Sequence, residues 1–170
     1  MHSTTNNSTD YKKHETIFVY QDVLKHSIHH ATTESSLTKI CGLAPLYQKE
    51  GKDGCKDGYV GIMSFSGTVS FSVMFGVPKE TATYFAKSFM GFDIPYDSPD
   101  MADIIGELIN ILAGTITAFL EKQELIVQMS LPVVIAGNEV KVLLLEGFLS
   151  FCLHFLINDL PFWVKVITNH

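Results

Sequence analysis

Glu107 and Asn110 place a carboxylate and a carboxamide three residues apart on a predicted helix. Side chains at positions i and i+3 of a helix project together. This pair can therefore accept and donate hydrogen bonds and carry one negative charge at a single point. A Glu and an Asn on a helix surface are usually only solvated, so the neighbouring residues decide whether the pair has a function.

Small and polar residues surround the pair on the same face of the helix. On a helical wheel of about 100° per residue, one narrow stripe contains Asp103, Gly106, Glu107, Asn110, Gly114, Thr117 and Glu121. Apolar residues fill the rest of the wheel, so most of this helix is predicted to be buried. Each glycine costs about 1 kcal/mol relative to alanine in a helix interior. The stripe therefore indicates that another surface comes very close to Asn110.

The helix that positions the stripe is predicted from about Pro99 to Lys122, and its pattern is the strongest in the chain. Two further helices are predicted, from Ile17 to about Leu37 and from Thr81 to Met90, where Gly91 follows. Strand patterns cover Tyr59–Phe65, Thr68–Val77, Leu131–Ile135, Val140–Leu145, Leu149–Ile157 and Phe162–Ile167. Ser66-Gly67 predicts a hairpin, and the glycine-rich, charged segment Gln48–Gly58 predicts an exposed loop or hairpin tip.

Two segments 80 residues apart, GTVSFSVMF (Gly67–Phe75) and GFLSFCLHF (Gly147–Phe155), fit one pattern. Either two alternating strands simply look alike, or the chain contains two related halves, each a helix plus a hairpin. The second interpretation predicts an α+β fold: an antiparallel-rich sheet with two long helices packed on one face, and two pseudo-symmetric halves in one domain. That domain is predicted to span residues 15–170, after a flexible polar tail of residues 1–14.

Composition excludes several classes of function. The 170 residues contain 12 lysines, no arginine and 18 acidic residues, which gives a net charge of −6. Nucleic-acid binding is therefore not expected, and the planar arginine fork that grips phosphate is absent. Three cysteines without a C-x-x-C pair indicate reduced thiols in a cytoplasmic protein. The polar N-terminus has no signal-peptide pattern, and the apolar run Val142–Ile157 is too short to span a membrane.

Other candidate sites have weaker patterns. His26, His29 and His30, with Glu34 nearby, match no standard spacing of metal ligands, so a surface helix is favoured and no metal site is predicted. Ser66 lacks the G-x-S-x-G context of an activated serine. The glycines between residues 51 and 58 are not followed by the G-K-[ST] of a phosphate-binding loop.

The order Asp103-x-x-Gly106-Glu107-x-x-Asn110-x-x-x-Gly114 resembles the signature of the CheC/CheX/FliY chemotaxis phosphatases. The resemblance extends over roughly residues 59–167, and the single-site arrangement is most similar to CheX. Among nine glutamates only Glu107 has an asparagine three residues later, so one active site per chain is expected.

The resemblance implies a phosphatase that removes the phosphoryl group from the phosphoaspartate of a CheY-like response regulator. In this family the asparagine, here Asn110, positions a water for in-line attack, and the glutamate, here Glu107, engages a lysine of the regulator. Phosphoryl transfer depends mostly on positioning and charge stabilisation, which suits a carboxamide and a carboxylate. The partner-contacting residues expected on the same stripe are Asp103, Gly106, Gly114 and Thr117. No cofactor of its own is expected, because the Mg²⁺ would lie in the partner receiver domain.

A non-catalytic receiver-binding or flagellar-switch module of the same fold is the alternative, and a ligand sensor would need a large internal pocket. A homodimer through sheet edges is also predicted. The apolar strand Phe162–Ile167 would otherwise leave an open sheet edge, and CheX-like proteins pair through their sheets.

Overall fold

Helices α1 to α4 lie within residues 20–169, the part of the chain that this computed structural model describes. Helix α1 covers residues 20–30 and runs through a π-helical turn, Ala31–Ser35, into α2 at Ser36–Cys41. Helices α3 (Lys79–Met90) and α4 (Pro99–Glu121) confirm the two other predicted helices. The predicted tail of residues 1–14 and the predicted helix start at Ile17 lie outside the described residues.

Seven strands form one antiparallel sheet. They are β1 (Leu46–Glu50), β2 (Cys55–Gly67), β3 (Phe71–Pro78), β4 (Val127–Met129), β5 (Val133–Val140), β6 (Phe148–Ile157) and β7 (Leu160–Asn169). Their order is β1-β6-β7-β3-β2-β4, and β5 pairs with β2 beside β4. The long strand β2 pairs with both β4 and β5 on the same side. Strand β5 pairs with its first part and β4 with its last three residues. The α+β class with an antiparallel sheet is confirmed.

The strand order divides into two equivalent halves. From one edge to the other the strands run β5-β2-β3-β7-β6-β1, so β5, β6 and β7 occupy positions that mirror β1, β2 and β3. Helix α1 precedes the first set of strands and α4 precedes the second. The sequence repeat, however, aligns β3 with β6, which are not equivalent strands. The two halves are present, but that repeat reflects only the alternation common to half-buried strands.

The main core lies between the helices and one face of the sheet. Alternate residues of β3, Val73, Phe75 and Val77, are fully buried there. From α4, the side chains of Leu108 and Leu112 are equally buried. Burying such a side chain contributes roughly 1.5–3 kcal/mol, so the packing of α4 on the sheet is what fixes the direction of its polar stripe.

The opposite face of the sheet carries a smaller apolar cluster under the connection between β1 and β2. Trp163 lies in this cluster and its Nε1–H donates to the carbonyl oxygen of Gly54 over 3.0 Å. The indole fits because Gly76 beside it has no side chain. The predicted exposure of Gln48–Gly58 is confirmed for most of the segment, but the predicted loop is too long. Both strands extend into that segment, and only residues 51–54 connect them, packed onto the sheet.

Two other predictions about strands are wrong. The segment Phe162–Ile167 is not an open edge, because β7 lies between β3 and β6. The segment Val140–Leu145 is not a strand, since β5 ends at Val140. Val140 pairs with Cys55, the first residue of β2, so no partner strand is available beyond it.

Two of the cysteines are free thiols with raised pKa values. Burial raises the pKa of Cys152 to about 12, and Asp53 adds to this while Lys165 opposes it. Burial likewise raises the pKa of Cys41 to about 11. Both thiols are protonated at neutral pH and unsuited to nucleophilic chemistry.

Helix α4 is long and apolar enough to cross a membrane by length and composition alone, with a mean hydropathy of 1.5. A helix at the centre of a soluble core passes the same test. In this fold its residues Ile105, Ile109 and Ile116 are fully buried against the sheet and the other helices. The hydropathy of α4 is therefore explained by core packing.

Candidate functional site

The predicted pair lies on the outer face of α4. Glu107 and Asp103 are exposed, and Asn110 is half-buried. None of the hydrogen bonds or ion pairs within residues 20–169 engages the Glu107 carboxylate or the Asn110 carboxamide. No described residue therefore occupies the hydrogen-bonding atoms of either group.

Local sequence explains where α4 begins. Pro99 occupies the first turn, where its missing N–H costs nothing, and Ser98 precedes it with extended backbone. The 23-residue helix then continues without a break to Glu121. An unbroken helix holds Asn110 and Glu107 at fixed relative positions, which positioning chemistry requires.

A close contact with β2 sets the height of α4 above the sheet. A Cβ added at Gly61 would lie 3.1 Å from Cγ2 of Ile109. Ile109 therefore sits directly over the backbone of β2, next to Asn110 in sequence. A side chain larger than hydrogen at Gly61 would push outward the turn of helix that carries the pair.

Gly106 differs from the predicted stripe. It is buried, and a Cβ added there would lie 3.5 Å from Cγ2 of Val134 on β5. That distance is an ordinary contact, so Gly106 faces β5 and not open solvent. Its proximity to β5 brings the Glu107 turn close to the sheet edge.

Gly114 and Thr117 continue the stripe beyond Asn110. A Cβ added at Gly114 would have no neighbour within 4 Å. Nothing in the described part of the chain therefore requires a glycine there, whereas close approach of a second molecule would. The Thr117 hydroxyl is buried and has no hydrogen-bond partner among the described residues.

The corresponding face of α1 carries a different pair of residues. The order of exposed and buried residues along α1 matches the order along α4. In this alignment His26 and His29 of α1 correspond to Glu107 and Asn110 of α4. His26 stacks on Phe119, with ring centroids 5.9 Å apart. Within the described ranges, no group of three or more His, Cys, Asp and Glu residues is arranged to hold a metal ion. The half of the fold that begins with α1 therefore has two histidines where the half that begins with α4 has its Glu-x-x-Asn pair.

The structure also brings apolar residues to Glu107 that sequence reasoning missed. A cavity of about 450 Å³ opens between the end of α3 and the start of α4, lined in part by Phe89, Phe92, Ile104 and Glu107. The run Phe-Met-Gly-Phe at the end of α3 was the available signal. Its proximity to α4 depends on tertiary packing and not on sequence spacing.

A comparison with protein-family models gives a match over residues 59–156 to the family described as chemotaxis phosphatase CheX. The matched region includes most of β2 and all of β3, α3 and α4, with the Glu107/Asn110 turn. The chain belongs to the CheX family. A search of curated protein sequences found no match.

Solved structures of CheX-like proteins share the fold. A putative chemotaxis protein from Desulfovibrio vulgaris Hildenborough superposes with a TM-score of 0.73 at 23% identity, covering 84% of this chain and 94% of its own. CheX from Desulfovibrio desulfuricans gives a TM-score of 0.71 at 20% identity, covering 85% and 95%. CheX in the CheX–CheY–BeF3–Mg complex from Borrelia burgdorferi gives 0.68 at 17% identity, covering 88% and 96%.

Proposed function

We propose that this CheX-family protein dephosphorylates the phosphoaspartate of a CheY-like receiver domain. The observation that carries the proposal is the pair on α4: Glu107 is exposed, Asn110 is half-buried, and neither is engaged by the described residues. Membership of a chemotaxis phosphatase family supports the reaction. A related CheX protein in complex with CheY supports the class of substrate.

The reaction is hydrolysis of an acyl phosphate. Water attacks phosphorus in line, the bond between phosphorus and the aspartyl oxygen breaks, and inorganic phosphate and a free carboxylate result. Asn110 is proposed to hold the water, because a carboxamide donates and accepts hydrogen bonds without repelling an anionic phosphoryl group. Glu107 is proposed to pair with a lysine of the receiver, which fixes the carboxamide against the reacting centre.

The receiver is proposed to supply the remaining charge stabilisation. The chain has no arginine, and its net charge is −6. A Mg²⁺ ion and a lysine held by the receiver would neutralise the phosphoryl oxygens, so this chain needs no metal of its own. Asp103, Gly114 and Thr117 are proposed to form the surrounding contact surface, whereas Gly106 packs beneath it against β5.

The protein is further proposed to be cytoplasmic, where receiver domains act, and to form a homodimer. Because β7 lies in the middle of the sheet, the dimer contact is proposed at another strand. The better candidate is the side of β5 that pairs with no described strand, because Val133 and Ile135 of β5 are exposed. An apolar strand with an unpaired side is a surface on which a second copy can add its own strand.

Replacement of the asparagine tests the proposed mechanism. Asn110→Ala should lower the rate constant for receiver dephosphorylation by about 10²-fold, because the attacking water loses its anchor. Asn138→Ala, which alters an exposed asparagine on β5, is the matched control and should retain the wild-type rate. Loss of phosphorylated receiver is followed in time, and circular dichroism checks that both variants fold. An Asn110→Ala protein with wild-type activity would rule out the assigned role.

A further inference from the structure

The cavity beside Glu107 is an open apolar groove, here called the α3–α4 groove. Its volume is about 450 Å³, and its walls are the side chains of Phe89, Met90 and Phe92 at the end of α3. Ile94 and Ile104 form its floor and are less than a tenth exposed. The groove therefore has a fixed floor and accessible walls.

The wall residues of the groove expose large apolar side chains to solvent. Phe92 is 56% exposed, Met90 is 41% exposed and Phe89 is 37% exposed. Single apolar residues on a surface are normal, but three large neighbours in a concave site are typical of a binding surface. Such side chains are also the kinds enriched where proteins bind each other.

The loop that forms the groove is held in place before any partner arrives. Gly91 ends α3 with a left-handed backbone, φ 81°, and its N–H donates to the carbonyl oxygen of Lys87. Further along, the Tyr59 hydroxyl donates to the carbonyl oxygen of Tyr96 over 2.8 Å, and the two rings pack edge to face. A preformed groove loses little entropy when it is filled.

Three carboxylates border the groove on α4. Asp100, Asp103 and Glu107 are exposed and are spaced by three and four residues, so they share one face of the helix. None of them belongs to an ion pair within residues 20–169. An apolar groove with an acidic border is complementary to an apolar side chain that has basic neighbours.

We propose that the α3–α4 groove docks the phosphorylated receiver, taking a segment that presents an apolar side chain flanked by lysine or arginine. This inference rests on the proposed function, because Glu107 belongs to both the catalytic pair and the groove. The proposed contact with the receiver then extends from the catalytic pair to the start of α4 and the end of α3. The groove then determines which receivers bind, and Asn110 positions the water that hydrolyses their phosphoaspartate.

Charge argues against a second copy of this chain as the occupant of the groove. The chain carries 18 acidic residues against 12 lysines and no arginine. A second copy would bring more negative charge to three unpaired carboxylates, which opposes association.

Removal of a groove wall tests the apolar part. Phe92→Ala should raise the KM for the phosphorylated receiver about tenfold and leave kcat unchanged, because the side chain contributes to docking and not to the reaction. Met90→Ala is the second variant and should act in the same direction. Phe148→Ala is the control, since Phe148 is an aromatic residue of similar exposure, 46%, on β6 outside the groove.

Neutralising the border tests the charged part. Asp100→Asn should raise KM several-fold and weaken the dependence of KM on salt concentration, because one attractive charge is lost. An unchanged salt dependence in this variant would contradict a basic occupant.

Binding of the beryllofluoride-loaded receiver, measured alongside turnover, separates the two proposals. Normal turnover with KM unaffected by Phe92→Ala and Met90→Ala overturns the groove and leaves the phosphatase standing. Binding that Phe92→Ala weakens, without any turnover by the wild type, supports the groove and overturns the phosphatase. If Phe92→Ala instead lowers the mass in light scattering with KM unchanged, a second copy occupies the groove and the inference is wrong. Absence of both binding and turnover with the receivers of the host overturns both.

Discussion

At the residue scale, the stripe on α4 separates residues required by the fold from residues that the fold leaves free. Gly61 is required, because a side chain there would press on Ile109. Gly114 is not required, since a Cβ would meet nothing within 4 Å. A glycine in the middle of a helix is costly, so its presence at an unobstructed position fits a surface that another molecule must approach closely.

Gly114→Ala should therefore have opposite effects on stability and activity. We expect the free energy of unfolding in urea to rise by up to about 1 kcal/mol, because alanine favours helix. The KM for the phosphorylated receiver should rise, because the methyl group lies between α4 and its partner. Gly54→Ala, also with open space for a Cβ but on the β1–β2 connection, should leave KM unchanged. A more stable Gly114→Ala protein with wild-type KM would show that no partner contacts this turn.

At the element scale, the connection of residues 51–54 packs on the second face of the sheet, and a buried ion pair attaches it there. Lys165 Nζ lies 2.8 Å from Asp53 Oδ1, with side-chain exposures of 5% and 16%. The other oxygen of Asp53 accepts from the backbone N–H of Val142 over 3.3 Å. One carboxylate thereby joins the connection, the sheet and the segment after β5.

Loss of one partner of this pair should be expensive. Asp53→Ala should lower the free energy of unfolding by about 3 kcal/mol, because it leaves the Lys165 ammonium buried without a counter-charge. The double variant Asp53→Ala, Lys165→Met should recover much of that loss. Asp93→Ala, which breaks the exposed Lys87–Asp93 pair, should cost less than about 1 kcal/mol. Equal costs for the buried and exposed pairs in urea unfolding would contradict this account.

Sequence patterns predict some of these helices and strands and miss others. Helix α4 was predicted with nearly correct ends because its apolar periodicity and Pro99 agree. Strand β1 was missed because all five residues are exposed and Gln48–Glu50 are polar, so no alternation is visible. The segment after Val140 has the apolar composition of a strand, yet it has no partner once β2 begins at Cys55. Pairing partners are a property of the sheet and are not encoded locally.

At the scale of the whole molecule, the candidate pair could be identified from sequence but its surroundings could not. Glu107 and Asn110 are three residues apart on one helix, and that relation needs no tertiary structure. The groove requires α3 and the start of α4 to meet, and the central position of β7 requires the order of the complete sheet. Both depend on contacts between distant parts of the chain.

The β5 edge gives a prediction about assembly. The wild-type protein should have about twice the chain mass of 18.9 kDa in light scattering at micromolar concentration. Ile135→Lys should shift it to the chain mass, because a lysine on an exposed edge strand disfavours strand pairing. Leu46→Lys on β1, at the other edge of the sheet, is the control and should stay dimeric. A wild-type mass of one chain would refute the dimer.

Turnover tests the central claim most directly. A receiver phosphorylated with acetyl phosphate and freed of excess reagent is mixed with a substoichiometric amount of this protein, and release of inorganic phosphate is measured. We expect many phosphates released per chain, faster than the receiver loses its phosphoryl group alone, and an acceleration about 10²-fold smaller with Asn110→Ala. Tight binding of the phosphorylated receiver without any acceleration would contradict it and identify a binding module instead.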